Sequence, residues 1–389
     1  LEEEHMRGRK RVASASLLAV AIAGSVIGSG AADASQSAVV GHVYVNDNTA
    51  GTNTIAGFDR HANGSLTPIS GAPFATGGAG TGTGLASQGA LQRTSDGRFL
   101  LAVDPGSNQI SALRIHSDGA LTQVAGGTVS SHGVQPVSIA VHNRLVYVAN
   151  AGDGGSNYTG FKLDSSGHLS HLSGSTYALP DGSQPGDVLF NSTGTKLAGT
   201  RVNTSLIDSF AVRSNGRLRA APGSPYAAQG PGPFGSEFRP TRPSQLFVSN
   251  AHGGANAGTV SAFHAGTNGA LSPIGSSPFA DNQTAPCWVE ISHDGRYLFA
   301  VNTAVPSISR YRIWSNGSLH LLGSTPFNQP TGLAPLDARL APNGKTLWVV
   351  DSGTHEVSGF KVHGGHLKEI SSSPTGLPTG ATPFGIVVT

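Results

Sequence analysis

One cysteine, Cys287, stands in 389 residues. A lone thiol closes no internal disulfide, and it excludes the multi-cysteine sets that hold zinc or iron–sulfur clusters. Stability must come from burial and from how the chain closes on itself. Charge is also scarce: Asp, Glu, Lys and Arg make up 12% of the chain, with a formal net charge of +2. No basic stripe with interleaved aromatics occurs, so no nucleic-acid partner is expected. No long stretch repeats apolar residues at i, i+3 and i+4, which leaves no helix to predict. The histidines show no metal-ligand spacing, and the loop from Asn150 to Asn157 lacks the acidic density of a calcium loop. No metal and no cofactor is therefore expected.

What is present begins with a leader. Residues 1–5 read as a vector remnant and residues 6–34 as a signal peptide. Arg7, Arg9, Lys10 and Arg11 form its basic segment, and an apolar run follows from Ser16 to Gly28. Ala32-Asp33-Ala34 offers the small-residue cleavage pattern. The apolar run is shorter than the ~20 residues a membrane span needs. Cleavage near Ala34 is expected to release a monomer to the extracellular space or cell envelope, with no membrane partner. Residues 35–40 are a lead-in, and residues 41–389 form one domain.

That domain is rich in turn formers, with 54 Gly and 23 Pro, yet 38% apolar. The combination suits many short strands rather than disorder. Segments repeat one plan: apolar strand, tight turn, apolar strand, polar loop, strand, tight turn, strand. Asp96-Gly97, Asp294-Gly295 and Asn343-Gly344 mark the first turn, and Asp118-Gly119, Asn215-Gly216, Asn268-Gly269 and Asn316-Gly317 the second. Gln88, Pro136, Pro185, Pro233, Pro286, Pro335 and Pro383 lead the successive units, 48 to 53 residues apart. This period with four strands predicts an all-β fold, a seven-bladed β-propeller of antiparallel blades. The chain starts with three strands of a blade and ends on a single one, "TPFGIVVT", so the final strand from Phe384 should close the ring beside the strand beginning at His42.

The strand order divides the ring into two rims. Tight turns share one, and the longer Asn- and Gly-rich loops share the other, where a binding mouth is expected. Counting from each leading residue, position two holds Ala90, Ser138, Asp187, Gly235, Trp288, Asp337 and Gly385. Position four holds Gln92, Ala140, Leu189, Glu237, Glu290, Arg339 and Val387. Alternation puts both positions on one face, and their polar members suggest an axial channel. Glu237 and Glu290 then stand on neighbouring blades at one depth, with Arg339 on the next. Paired carboxylates raise each other's pKa and can poise one for acid–base work, while an arginine can hold a carboxylate or an oxyanion. Glu237, Glu290 and Arg339 are the catalytic candidates. Gln92, Asp187, Arg201, Asn250, His252, Trp288, Asn302 and Asp337 are candidate ligand contacts. The same polar set would also serve as a water-filled structural network. Cys287 reads as a packed thiol.

The motifs "SDGRFLLAVDPGSNQIS", "VYVANAG", "STGTKLAGTRVNTSLIDSF", "CWVEISHDGRYLFAVN" and "APNGKTLWVVDSG" resemble the bacterial lactonase family of seven-bladed propellers. That family includes 6-phosphogluconolactonases and fungal carboxymuconate lactonising enzymes. The resemblance covers nearly all of residues 41–389 and implies hydrolysis or isomerisation of a small lactone or unsaturated carboxylate. It also has departures. Where the phosphogluconolactonase type carries Pro-Arg-His and Pro-His-Ser, this chain has Pro233-Phe234-Gly235 and Pro136-Val137-Ser138. Ala251 replaces the family glutamate after Asn250. These losses argue against a phosphorylated-sugar substrate. They also keep open a non-catalytic propeller that binds a small molecule, glycan or protein at its mouth.

Overall fold

A computed structural model describes residues 37–389, and the predicted leader lies outside the described residues. Seven antiparallel sheets stand around an axis, a seven-bladed β-propeller as the repeats predict. Their innermost strands are Leu91–Arg93, Pro136–His142, Pro185–Phe190, Pro233–Phe238, Pro286–Ile291, Pro335–Leu340 and Phe384–Val388. Each blade runs outward from that strand in sequence order, except where the termini meet. The outermost strand is continuous in blade 2 (Leu121–Ser130) and blade 6 (Leu319–Pro326). In the other five it is broken in two. In blade 1, for example, Leu66–Pro68 and Phe74–Ala75 both pair with Thr54–His61.

The ring closes between the two ends of the described chain. Phe384–Val388 pairs antiparallel with Val39–Asn46, in the register Val43 to Val388 and Val45 to Ile386. Arg60 fastens the seam by donating to the carbonyls of Val40 and Thr389, both at 2.9 Å.

Odd positions of the inner strands pack between blades, as alternation requires. Val289 and Ile291 join one apolar cluster with Phe247 and Leu298, and Phe238 joins another with Leu246 and Val248. Most inner strands begin with a register slip, as between Pro185 and Asp187 or Pro286 and Trp288. Such a bulge re-aims the side chain beside it, and here it presents the position-two side chains to the axis. The first tight turns are built as expected; Gly295, for instance, holds a φ of +67° that its neighbour Asp294 would resist.

Candidate functional site

The axis is blocked at the loop rim. The segment Ser87-Gln88-Gly89, which leads into blade 2, lies across the centre and bonds five blades. Gly89 accepts from the Ile139 N–H of blade 3 at 2.9 Å, and the Gln88 N–H donates to Gly186 of blade 4 at 2.8 Å. The Gln88 amide donates to the Ser236 carbonyl of blade 5 and accepts from the Val289 N–H of blade 6, both at 3.0 Å. Gly89 N–H donates to Asp337 of blade 7 at 3.1 Å. The Trp288 indole donates to the Ser87 carbonyl at 2.8 Å and its ring lies 5.2 Å from that of Phe234. A glycine-rich connection ahead of this segment lets the chain fold inward, and a glutamine in the blade-leading place supplies the amide that proline lacks.

A cavity of about 250 Å³ lies beneath this plug. Gln88, Gln92, Asp187, Glu237 and Arg339 line it, and Ser192 and Pro240 of the tight turns form its edge. It therefore opens at the tight-turn rim. At the loop rim, where the mouth is expected, the plug fills the axis, and a separate pocket of about 300 Å³ is lined by Leu85, Gln135, Asp153 and Gln184.

Positions two and four also part company. At position two, Asp187, Trp288 and Asp337 are each only 2% exposed. Asp187 accepts from the backbone and hydroxyl of Ser236 at 2.9 and 2.7 Å and from Ser138 at 3.3 Å. Burial lifts the pKa of Asp187 and of Asp337 to about 7. At position four, Gln92, Glu237 and Arg339 are only partly exposed, and Glu290 is buried behind them.

The three catalytic candidates come together. Arg339 Nη1 donates to Glu290 at 3.0 Å, and the Leu340 N–H donates to the other oxygen of Glu290 at 2.8 Å. One blade back the Ile291 N–H acts on Glu237 in the same sense, opposing the rise of its pKa. One Glu237 oxygen is buried with no partner. Burial, and then the charge of Glu290, push the Glu237 pKa well above the ordinary carboxylate value; Arg339 opposes the shift. Burial raises Glu290 as well, against the pull of Arg339 and the Leu340 N–H. Glu290 is the carboxylate that carries the ion pair to Arg339; Glu237 forms none among the described residues. Arg339 bonds Glu290 through Nη1, so its other guanidinium hydrogens are available to a ligand.

Trp288 and Asp337 hold the plug instead of lining the cavity, and four other candidates lie away from both. Arg201 is 5% exposed and grips Asp208 at 2.7 and 2.6 Å, with Tyr158 donating to the same carboxylate. Asn250 and Asn302 end their strands and are buried. Asn250 donates to Thr259 and Ser261, and Asn302 to Ser307 and Ser309. In other blades Asp104 accepts from Ser111 and Asp351 from Ser358 at the same place. These polar residues thus clamp the second strand to the third, which the repeat alignment alone would have disclosed. His252 is exposed at the loop rim. Cys287 is buried, and burial pushes its thiol up to about 12, which suits packing rather than attack. Gln88 and Ser236 were not among the sequence candidates. The one signal for Gln88 was its place in a column otherwise filled by proline.

Among the described residues, no group of three or more His, Cys, Asp and Glu side chains could hold a metal ion. The model of a family described as lactonase, 7-bladed β-propeller, matches residues 42–190 and 239–383. A putative 6-phosphogluconolactonase from Bacteroides fragilis is 21% identical, covering 90% of this chain and 98% of its own, with a TM-score of 0.70. The periplasmic gluconolactonase of Pseudomonas aeruginosa is 16% identical, covering 90% and 99%, also with a TM-score of 0.70. At these identities the likeness carries the fold. No curated protein sequence matches the chain.

Proposed function

The chain belongs to the lactonase family of seven-bladed β-propellers, and on that premise we propose that it hydrolyses a small lactone in the axial cavity. The observation that carries this reading is the Glu237, Glu290 and Arg339 cluster at the cavity wall. Ionised Glu237 takes a proton from water as the water oxygen attacks the lactone carbonyl. Arg339 receives the developing oxyanion, and Glu290 holds Arg339 in place. The ring C–O bond then breaks, Glu237 returns its proton to the leaving oxygen, and the product is a hydroxy acid. A cavity of about 250 Å³ limits the substrate to a small ring. The leader supports delivery outside the cytoplasm.

The apolar Val137, Phe234 and Ala251, all buried, favour a second reading, in which the propeller binds a small molecule without turning it over. A pH-stat assay of the mature protein against a panel of small unphosphorylated lactones decides between them. Hydrolysis of at least one lactone above the uncatalysed rate supports the enzyme. Saturable binding with no acid release across the panel overturns it.

A further inference from the structure

The cations of this propeller gather on one rim. Apart from Arg201, which is tied to Asp208, every lysine and arginine within residues 37–389 stands on the tight-turn half of the ring. On that half, the start of each second strand faces a fixed partner on the third. In blade 2 Phe99 pairs with Arg114, and in blade 6 Tyr297 pairs with Arg312. The cations there lie over the rings. Arg98 and Arg114 are 5.2 and 4.9 Å from the centre of Phe99, and Arg312 is 5.2 Å from that of Tyr297. The turns of the following blades close over these aromatics, with Gly167 against Phe99 and Gly365 against Tyr297.

Blades 3 and 7 lack the ring but keep the cations. Leu145 pairs with Lys162, and Thr346 with Lys361. Arg144 and Lys345 precede them. At these two places the inter-blade seam opens into clefts of about 710 and 600 Å³. Arg213 adds a third cation to the larger, where Asp164 is the acidic member. The Asp164 carboxylate is taken up by its own turn, accepting from Ser166 and His168. Among the described residues, Arg144, Lys162, Arg213, Lys345 and Lys361 form no ion pair. The floor of the larger cleft is apolar, from Leu145 and Val212, and its walls carry serines and Asn215.

We propose that the tight-turn face docks an acidic polysaccharide, with uronate residues seated in the cleft between blades 3 and 4. A uronate offers a carboxylate for Arg144, Lys162 and Arg213, an apolar ring face for Leu145, and hydroxyls for the serines. A second stretch of the same polymer would meet Lys345 and Lys361 in the other cleft, which multiplies a weak contact. Trp314, 52% exposed on this face, adds a stacking platform. The two clefts share no lining residue with the axial cavity, which opens on the same face.

Affinity electrophoresis of the mature protein in gels containing polygalacturonate, with dextran as the neutral control, tests the proposal. Two variants accompany it. Arg144→Gln/Lys162→Gln/Arg213→Gln removes the charge, and Leu145→Phe restores the ring that fills the seam in blades 2 and 6. The wild type should be retarded by polygalacturonate and not by dextran. Each variant should weaken that retardation about tenfold, as expected for losing several exposed charge contacts or their seat. Circular dichroism melts should match the wild type. Absence of retardation in the wild type overturns the proposal, as does either variant binding like the wild type. Equal binding to phosphatidylglycerol vesicles, lost in the same variants, would show a generic anionic surface and overturn it too.

Discussion

Gln88 reaches across the propeller axis, and its side-chain amide donates to the Ser236 carbonyl at 3.0 Å although 148 residues separate them. The same amide accepts from Val289, so one side chain joins three blades. Gln88→Ala would leave a buried carbonyl and a buried N–H unpaired, at a cost of about 2–4 kcal/mol. Denaturant titration should show a lower midpoint with little change in slope. An unchanged midpoint would mean that the plug is held without this amide.

For catalysis, Glu237→Gln should lower turnover by about a hundredfold, the scale of losing an acid–base group. Volume is nearly conserved, so the melt should barely move. Arg339→Lys should lower turnover less than Glu237→Gln and leave the Michaelis constant little changed, because lysine presents one point charge to the developing oxyanion where arginine presents a fork. Full activity in both variants would move the chemistry out of the axial cavity. Because Glu237 must be ionised to act as base, and its pKa is raised, the rate should fall on acidification from higher pH than an ordinary glutamate would allow.

Stability should respond to pH in the opposite sense to that of most proteins. Burial raises Asp47, Asp187 and Asp337 from 3.8 to about 7 and Asp281 to about 6. Between pH 3.8 and about 7 the folded chain therefore binds more protons than the unfolded chain. Stability then falls as pH rises through that window. The melting temperature should be higher at about pH 5 than at about pH 8. Below that window the gain is opposed, because Asp96, Asp164 and Asp294 have lowered pKa values and lose stabilising charge in acid. A melting temperature that climbs steadily from pH 5 to 8 would contradict the burial of these carboxylates in their neutral form.

Cys287 offers a simpler check. With its thiol pushed up to about 12 by burial, almost no thiolate exists near neutrality. Cys287→Ser should leave lactone turnover intact, and iodoacetamide should label the native protein far more slowly than the unfolded chain. Rapid native labelling with loss of activity would return this residue to the chemistry.

Blade number, closure and the inner-strand column were legible because each rests on local signals: a turn dipeptide, an alternating strand, a leading proline. Glu237, Glu290 and Arg339 could be brought together by counting, since one register recurs from blade to blade. The direction in which the cavity opens was not legible. It depends on where the segment at Gln88 goes, and a glycine-rich connection fixes no path by pattern alone. Asn250 and Asn302 read from sequence as ligand contacts. Their real partners are hydroxyls on the adjacent strand, five to eleven residues on, a pairing visible only once strands are aligned across blades.

Ring closure makes the last strand indispensable. Phe384, Ile386 and Val388 lie in the main apolar cluster, and Val387 joins Tyr44 and Leu91 in another. Their backbone completes the ladder of Val39–Asn46, and the Thr389 carbonyl receives Arg60. Deleting residues 384–389 would strip the axial edge of blade 1. It would uncover unpaired N–H and C=O groups there and leave Arg60 without one of its two acceptors. An exposed inner edge templates association with another chain. The apolar loss adds to this, since each fully buried Val, Ile or Phe contributes about 1.5–3 kcal/mol, and four such side chains would go. That sum rivals the whole stability of an ordinary domain, about 5–15 kcal/mol. The truncated chain should therefore elute as aggregate or show no cooperative melt, while a peptide of residues 384–389 added in excess should restore some soluble protein by occupying the vacant place. A truncated monomer with a sharp melt near that of the full chain would show that six blades and a three-stranded seventh suffice, and that the seam at Val43 and Val388 is not what closes the ring.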